Sequence, residues 1–113
     1  MKEIDPMAIR REGQWLTADG SAHCAYEVVP GRFRLSMWPG QRVSARAAVA
    51  GLTIAEMAAK WGRGLWVDTP NTRMVWSLIE LQAATLGLDA LDAVMRCQAG
   101  EVPADATMFG ASA

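Results

Sequence analysis

The chain has 113 residues, of which 51% are hydrophobic and 20% charged, and its formal net charge is −1. This length and composition exclude an intrinsically disordered chain and predict one globular domain over residues 1–100. The net charge is too small to require a nucleic-acid partner.

The absence of targeting signals and the positions of the cysteines indicate where the protein is located and whether it contains disulfides. No apolar run approaches the roughly 20 residues of a membrane helix, and residues 1–20 lack the basic start and apolar middle of a secretion signal. We therefore expect a cytoplasmic protein that does not contact a membrane.

Cys24 and Cys97 fit no metal or redox spacing. Two buried thiols are expected, with a disulfide as the alternative.

The charges are unevenly distributed along the chain. No acidic residue occurs between Val28 and Ala55, a stretch that contains four arginines: Arg32, Arg34, Arg42 and Arg46. From Leu65 onward, acidic residues outnumber basic ones. This asymmetry predicts a bipolar surface that suits a charged partner or head-to-tail contacts between copies.

The first elements predicted are a short helix and a strand. Asp5 and Pro6 form a helix-start signal, and the helix would end at Gly13. Residues 14–18 read as a strand, and Asp19-Gly20 is the dipeptide most typical of a tight type I′ hairpin turn.

A second hairpin is predicted over residues 23–38, with its turn at Pro30-Gly31. Its second half alternates apolar and polar side chains, which is the two-residue period of a strand with one buried face. If Val29 lies opposite Arg32, the buried face contains Cys24, Tyr26, Val28, Phe33, Leu35 and Met37. Trp15 of the preceding strand joins this buried face.

The opposite face of the meander is then predicted to be exposed. It gathers Leu16, His23 and Trp38 at one end. At the other end, Glu27 would pair with Arg34, beside Arg32. This face combines cationic and aromatic side chains, which is unusual for a plain solvated surface.

The second half of the chain changes from strands to helices. After a turn at Pro39-Gly40, residues 42–49 are either a fourth strand or a short helix capped by Ser44. Three helices follow at about 53–62, 71–87 and 89–98, with Thr69 or Asn71 as the cap of the second and Gly87 as its C-cap. Residues 101–113 are predicted to be a flexible tail that docks through Met108 and Phe109.

These elements predict an α+β fold. An antiparallel three- or four-stranded β-meander over about residues 14–49 has one face packed by the three C-terminal helices. The second helix is apolar on most sides, which is typical of a helix central to its domain or buried in an oligomer.

The sequence does not predict an enzyme, a metal site or a cofactor. His23 is the only histidine, and neighbouring residues of a strand point to opposite faces, so His23 and Cys24 cannot pair as a nucleophile and base. Asp89 and Asp92 are explained as helix-capping residues. The glycines of Trp61-Gly62-Arg63-Gly64 lack the third glycine of a dinucleotide motif.

We therefore expect a small non-enzymatic regulatory protein that binds another protein with an acidic surface, and a homodimer is a further expectation. The candidate partner-binding residues are Leu16, His23, Arg32, Arg34, Trp38 and Arg42. The alternative is nucleic-acid binding, either by the arginine-rich strand face or by a degenerate helix-turn-helix that begins at residues 53–62.

Overall fold

The computed structural model describes residues 9–99. Within this range five strands precede three helices, so the predicted α+β arrangement holds, with more strands than expected. The elements are β1 Ile9–Glu12, β2 Trp15–Ala18, β3 Cys24–Val29, β4 Arg32–Leu35, β5 Trp38–Ser44, α1 Ala45–Trp61, a 3-10 helix Gly62–Trp66, α2 Pro70–Leu86 and α3 Ala90–Ala99.

The five strands form one antiparallel sheet in the order of the sequence, β1-β2-β3-β4-β5. The additional strand β1 lies where the end of the first helix was predicted, and it pairs with β2 through a turn at Gly13, whose φ is +63°. A helix of one or two turns has little stability of its own, whereas strand pairing satisfies the backbone directly. The start of that predicted helix, residues 5–8, lies outside the described residues.

The β3–β4 hairpin combines a predicted turn with an unpredicted bulge. Gly31 has φ +80° and Val29 lies opposite Arg32, so the Pro30-Gly31 turn is confirmed. A bulge between Glu27 and Val29 then shifts the pairing by one residue, which places Ala25 opposite Leu35. Because side chains alternate along a strand, this shift exchanges the two faces of β3 relative to β4.

The connection between β2 and β3 is longer than predicted. Asp19-Gly20 does not make a tight hairpin turn, because pairing starts only with Thr17 opposite Cys24. The Gly20 N–H instead donates to a Glu56 carboxylate oxygen at 2.7 Å, which attaches this loop to α1. A side chain at Gly20 would collide with that carboxylate.

The ambiguous stretch at residues 42–49 is part strand and part helix. β5 runs to Ser44, whose Oγ accepts the Ala47 N–H at 3.1 Å and so caps α1. The helix begins at Ala45 rather than at Thr53. The turn predicted at Pro39-Gly40 is also wrong, since those residues lie within β5, an edge strand in which the missing proline N–H is tolerated.

The helices cover one side of the sheet. α1 contacts every strand, whereas α2 packs mainly on α1, α3 and the 3-10 helix. Gly51 of α1 approaches Leu35 so closely that a Cβ on the glycine would lie 2.9 Å from Leu35 Cδ1. One buried cluster joins the sheet to α1, and its members are Leu16, Ala18, Ala25, Phe33, Leu35, Ala48 and Leu52.

A second buried cluster joins the three helices around Ile54, Leu65, Ile79 and Val94. The predicted caps of α2 are confirmed: Thr69 Oγ1 accepts the Thr72 N–H at 3.1 Å, with Pro70 in the first turn. Gly87 ends α2 with φ +75°.

Candidate partner-binding face of the sheet

The side of the sheet opposite the helices contains one continuous row of cross-strand neighbours. Trp15 of β2 lies opposite Tyr26 of β3, and Tyr26 lies opposite Arg34 of β4. Arg34 in turn lies opposite Arg42 of β5. We call this row together with Val28 the outer sheet face, because the described helices pack on the other side of the sheet.

An aromatic pair forms the centre of the outer sheet face. The rings of Trp15 and Tyr26 meet edge to face, with centroids 4.8 Å apart. The Tyr26 hydroxyl donates to Gln14 Oε1 at 3.1 Å, which fixes the ring orientation. Trp15 remains 36% exposed. The two rings line a shallow depression of about 250 Å³ together with Val28 and Arg34.

Two arginines adjoin the aromatic pair. Arg34 and Arg42 are exposed and directly opposite each other, an arrangement of like charges that destabilises a strand pair. Arg32 lies on the same side of β4, next to Ser44. Among residues 9–99 no carboxylate forms a salt bridge with any of these three guanidinium groups.

The predicted pair between Glu27 and Arg34 does not form. The bulge places Glu27 opposite Phe33 on the other side of the sheet, where its carboxylate pairs with Arg11. The second carboxylate oxygen accepts the Gly31 N–H at 2.9 Å. The Gly31 N–H first, and Arg11 after it, hold the pKa of Glu27 below its usual value, although desolvation acts in the opposite direction.

The predicted site residues fall into two groups. Arg32, Arg34 and Arg42 are exposed on the side opposite the helices, as expected. The exposure expected for Leu16 and His23 is wrong, because they are 7% and 1% exposed. Leu16 lies opposite Ala25 and belongs to the core between the sheet and α1.

Trp38 is also not a free side chain. It lies opposite Leu35, on the helix-covered side of the sheet, and packs partly against the core. The Arg96 guanidinium of α3 lies 5.4 Å from the centroid of its ring. Trp38 therefore contributes to the attachment of α3 rather than to an open docking surface, which corrects the sequence prediction.

His23 joins the sheet to α3. Its Nε2 lies 2.7 Å from the Cys97 carbonyl oxygen, and because a carbonyl only accepts, Nε2 is the donor. Its Nδ1 lies 2.9 Å from Ser36 Oγ, which also accepts the Cys24 N–H at 2.9 Å. In the neutral imidazole with its proton on Nε2, Nδ1 accepts and the Ser36 hydroxyl donates to it, so the ring acts as a buried structural bridge.

Both cysteines of the chain lie in the interior. Burial raises the pKa of the Cys24 thiol, with a hydrogen bond to Ser36 acting weakly in the opposite direction, so its thiolate is disfavoured at neutral pH. Cys24 and Cys97 are buried and not joined in a disulfide, which agrees with the expected thiols. Within residues 9–99 no three histidine, cysteine or carboxylate side chains lie close enough together to hold a metal ion.

The helices match a helix-turn-helix poorly. A 3-10 helix and the Thr69 cap separate α1 from α2, and three exposed positions of α2 hold large apolar side chains, Met74, Leu78 and Leu81. A recognition helix needs polar side chains at its exposed positions.

Between residues 9 and 99 no single helix is long and apolar enough to cross a membrane. Only α2 and α3 together reach that length and composition, and they are bent by 90°.

Sequence reasoning missed Trp15 and Tyr26, which it placed in the core. Their strands alternate as predicted, but the bulge at Val28 decides which set of side chains faces the helices. A cue was present in the sequence, since burying Tyr26 and Trp15 requires partners for a hydroxyl and an indole N–H that no predicted neighbour supplied.

No protein-family model matches this chain, and comparisons with curated proteins and with solved structures found no significant match.

Proposed function

We propose that this chain is a small non-enzymatic protein-binding module whose contact surface is the outer sheet face. The observation that carries the proposal is the row of Trp15, Tyr26, Arg34 and Arg42, in which an aromatic pair adjoins two arginines that form no salt bridge within residues 9–99. Tryptophan, tyrosine and arginine are the residue types that most often dominate binding energy at protein interfaces. The cytoplasmic location expected from the sequence is part of the same proposal.

The chemistry of the surface indicates the kind of partner. The depression between Trp15, Tyr26 and Val28 would accept an apolar side chain. The guanidinium groups of Arg34 and Arg42 would face carboxylates around it and remove their mutual repulsion. The partner is therefore a protein segment in which acidic residues surround an apolar one.

Nucleic acid is the runner-up, because sheet surfaces with aromatic and arginine side chains also bind single strands. Two observations favour protein. The whole chain has a net charge of −1 and an isoelectric point near 5.7, whereas nucleic-acid-binding domains are usually basic. The two aromatic rings meet edge to face rather than presenting two parallel platforms for bases.

Affinity capture from the native host with the immobilised full chain tests the proposal. The variants are Trp15→Ala and Arg42→Glu, and the matched control is Trp66→Ala, an exposed tryptophan of the 3-10 helix. We expect a captured protein whose affinity, measured by calorimetry, falls by about 2 kcal/mol or roughly 30-fold in Trp15→Ala and is unchanged in Trp66→Ala.

A titration with a 12-nucleotide oligothymidine, followed by tryptophan fluorescence, separates the two classes of partner. Protein binding predicts no saturable change at 50 mM or 200 mM salt. Tight binding at 50 mM that weakens steeply at 200 mM would replace the proposal with nucleic-acid binding. Equal capture by the Trp15→Ala chain would also contradict it.

A further inference from the structure

The outer side of α2 exposes a stripe of large apolar side chains. Met74, Leu78 and Leu81 are 62%, 47% and 68% exposed, and their i, i+4, i+7 spacing places them along one side of the helix. The opposite side of the same helix contributes Val75, Ile79 and Ala83 to the core. We call Met74, Leu78 and Leu81 the α2 stripe.

The apolar surface continues from the α2 stripe onto α1. Val49 is 41% exposed and lines the same shallow groove as Leu81 and Thr85, with Arg46 at its edge. The charged residues of α2 are elsewhere: Arg73 and Glu80 lie about 100° or more round the helix from the centre of the stripe. The patch thus spans two helices and is almost uncharged.

We propose that a second copy of this chain docks on the α2 stripe, so that two α2 helices pack antiparallel across a two-fold axis. A two-fold interface places one surface against itself, so it requires a surface that is complementary to its own copy. An uncharged apolar stripe meets this requirement, because it brings no like charges together. A partner with an acidic surface, as proposed for the sheet, would find no cation on the stripe.

The electrostatics of α2 favour the antiparallel orientation. Its first turn has no acidic residue and its last turn has no basic one, so side chains of the helix do not compensate its dipole. An antiparallel copy places the positive end of each helix beside the negative end of the other.

The exposed area of the patch approaches that of a small stable interface. The three stripe residues and Val49 expose on the order of 400 Å² per copy, so pairing removes on the order of 800 Å² of mainly apolar surface from water. The polar neighbours of the stripe, which include Ser77, Gln82 and Thr85, bring the contact toward the 1,200 Å² or so at which stable interfaces begin. Because α2 packs mainly on α1 and α3, this contact leaves the outer sheet face of each copy uncovered.

Sedimentation equilibrium of the full chain from about 1 to 200 μM tests the proposal without any partner protein. We expect the wild type to reach twice the 12.2 kDa chain mass within this range. Leu78→Glu and Leu81→Glu should each raise the dimer dissociation constant at least 30-fold, because both place a carboxylate against its own copy. Circular dichroism should show native helix content in both variants, since the replaced side chains are largely exposed.

The matched control is Leu91→Glu on α3, a leucine with 48% exposure compared with 47% for Leu78. Its dissociation constant should equal that of the wild type. A wild-type chain that stays monomeric at 200 μM overturns the proposal, and so does dissociation by Leu91→Glu with no effect of Leu81→Glu. These results test only the dimer and leave the proposed function of the outer sheet face untouched, because the two surfaces share no residue. Trp15→Ala should accordingly leave the dimer intact.

Discussion

His23 is the residue whose observed role differs most from its predicted one. As the only histidine, beside an aromatic and cationic face, it suggested a binding residue. In the structure it connects the end of the β2–β3 loop to the last turn of α3 through the Cys97 carbonyl, 74 positions later in the sequence. Hydrogen bonds over such a separation leave no local pattern, so periodicity could not predict this one.

Replacing His23 with Ala should lower the free energy of unfolding by about 2–4 kcal/mol. The substitution leaves the Cys97 carbonyl and the Ser36 hydroxyl without their buried partner and opens a cavity. Urea denaturation of this variant and of Ala22→Ser, an exposed change in the same loop, provides the comparison. A loss below about 0.5 kcal/mol would mean that the bridge contributes little.

At the level of single elements, the β3–β4 hairpin shows which structure a sequence encodes locally. Pro30-Gly31 predicted its turn, because proline and a glycine with positive φ meet the needs of a type II turn. No comparable residue pattern in the sequence predicted the bulge at Val28. It is favoured by tertiary contacts, since it lets Phe33 and Leu35 share the covered side with Ala25 while Glu27 reaches Arg11 and Gly31.

The Glu27 carboxylate should make this hairpin sensitive to acid. Its pKa is lowered in the folded chain, so its stabilising effect is complete above the ordinary glutamate pKa and is lost as the pH falls through the lowered value. Glu27→Gln should therefore be less stable than the wild type at pH 6, and the difference should disappear toward pH 2.

Thermal or urea unfolding of the Glu27→Gln chain between pH 2 and pH 6 measures this difference. Glu12→Gln, an exposed acidic residue of β1, is the control and should follow the wild type. A stability difference that is constant over the whole pH range would show that the amide, and not the charge, is responsible.

Over the whole molecule, the covered and uncovered sides of the sheet determine what is available for binding. The succession of an antiparallel sheet and three helices, the turns at Pro30-Gly31 and Gly87, and the packing of helices on one face follow from local patterns. Local patterns do not predict that Trp15 and Tyr26 face away from the helices while Leu16 and Ala25 face toward them. One inserted residue in β3 decides which of the two sets is covered. The sequence thus predicted an exposed face with arginines and aromatic residues. The arginines were predicted correctly, but the aromatic residue expected there was Trp38 instead of Trp15 and Tyr26.

The molecule has two separate exposed surfaces that differ in chemistry. The arginines that were expected on the free face remain there, now beside Trp15 and Tyr26. Part of the apolar surplus seen in the sequence lies on the outer side of α2, at Met74, Leu78 and Leu81. A cationic aromatic surface and an uncharged apolar one suit different partners, so the two proposals are compatible: the pairing of copies through α2 would leave the outer sheet face open for a protein with an acidic segment.

The most direct test of the central claim is an NMR footprint of the captured partner on the ¹⁵N-labelled full chain. The outer sheet face predicts the largest shifts at the Trp15 indole N–H and at the amides of Tyr26, Arg34 and Arg42, with the α2 amides unchanged. Shifts confined to the helices, with the Trp15 signal unmoved at saturation, would contradict it.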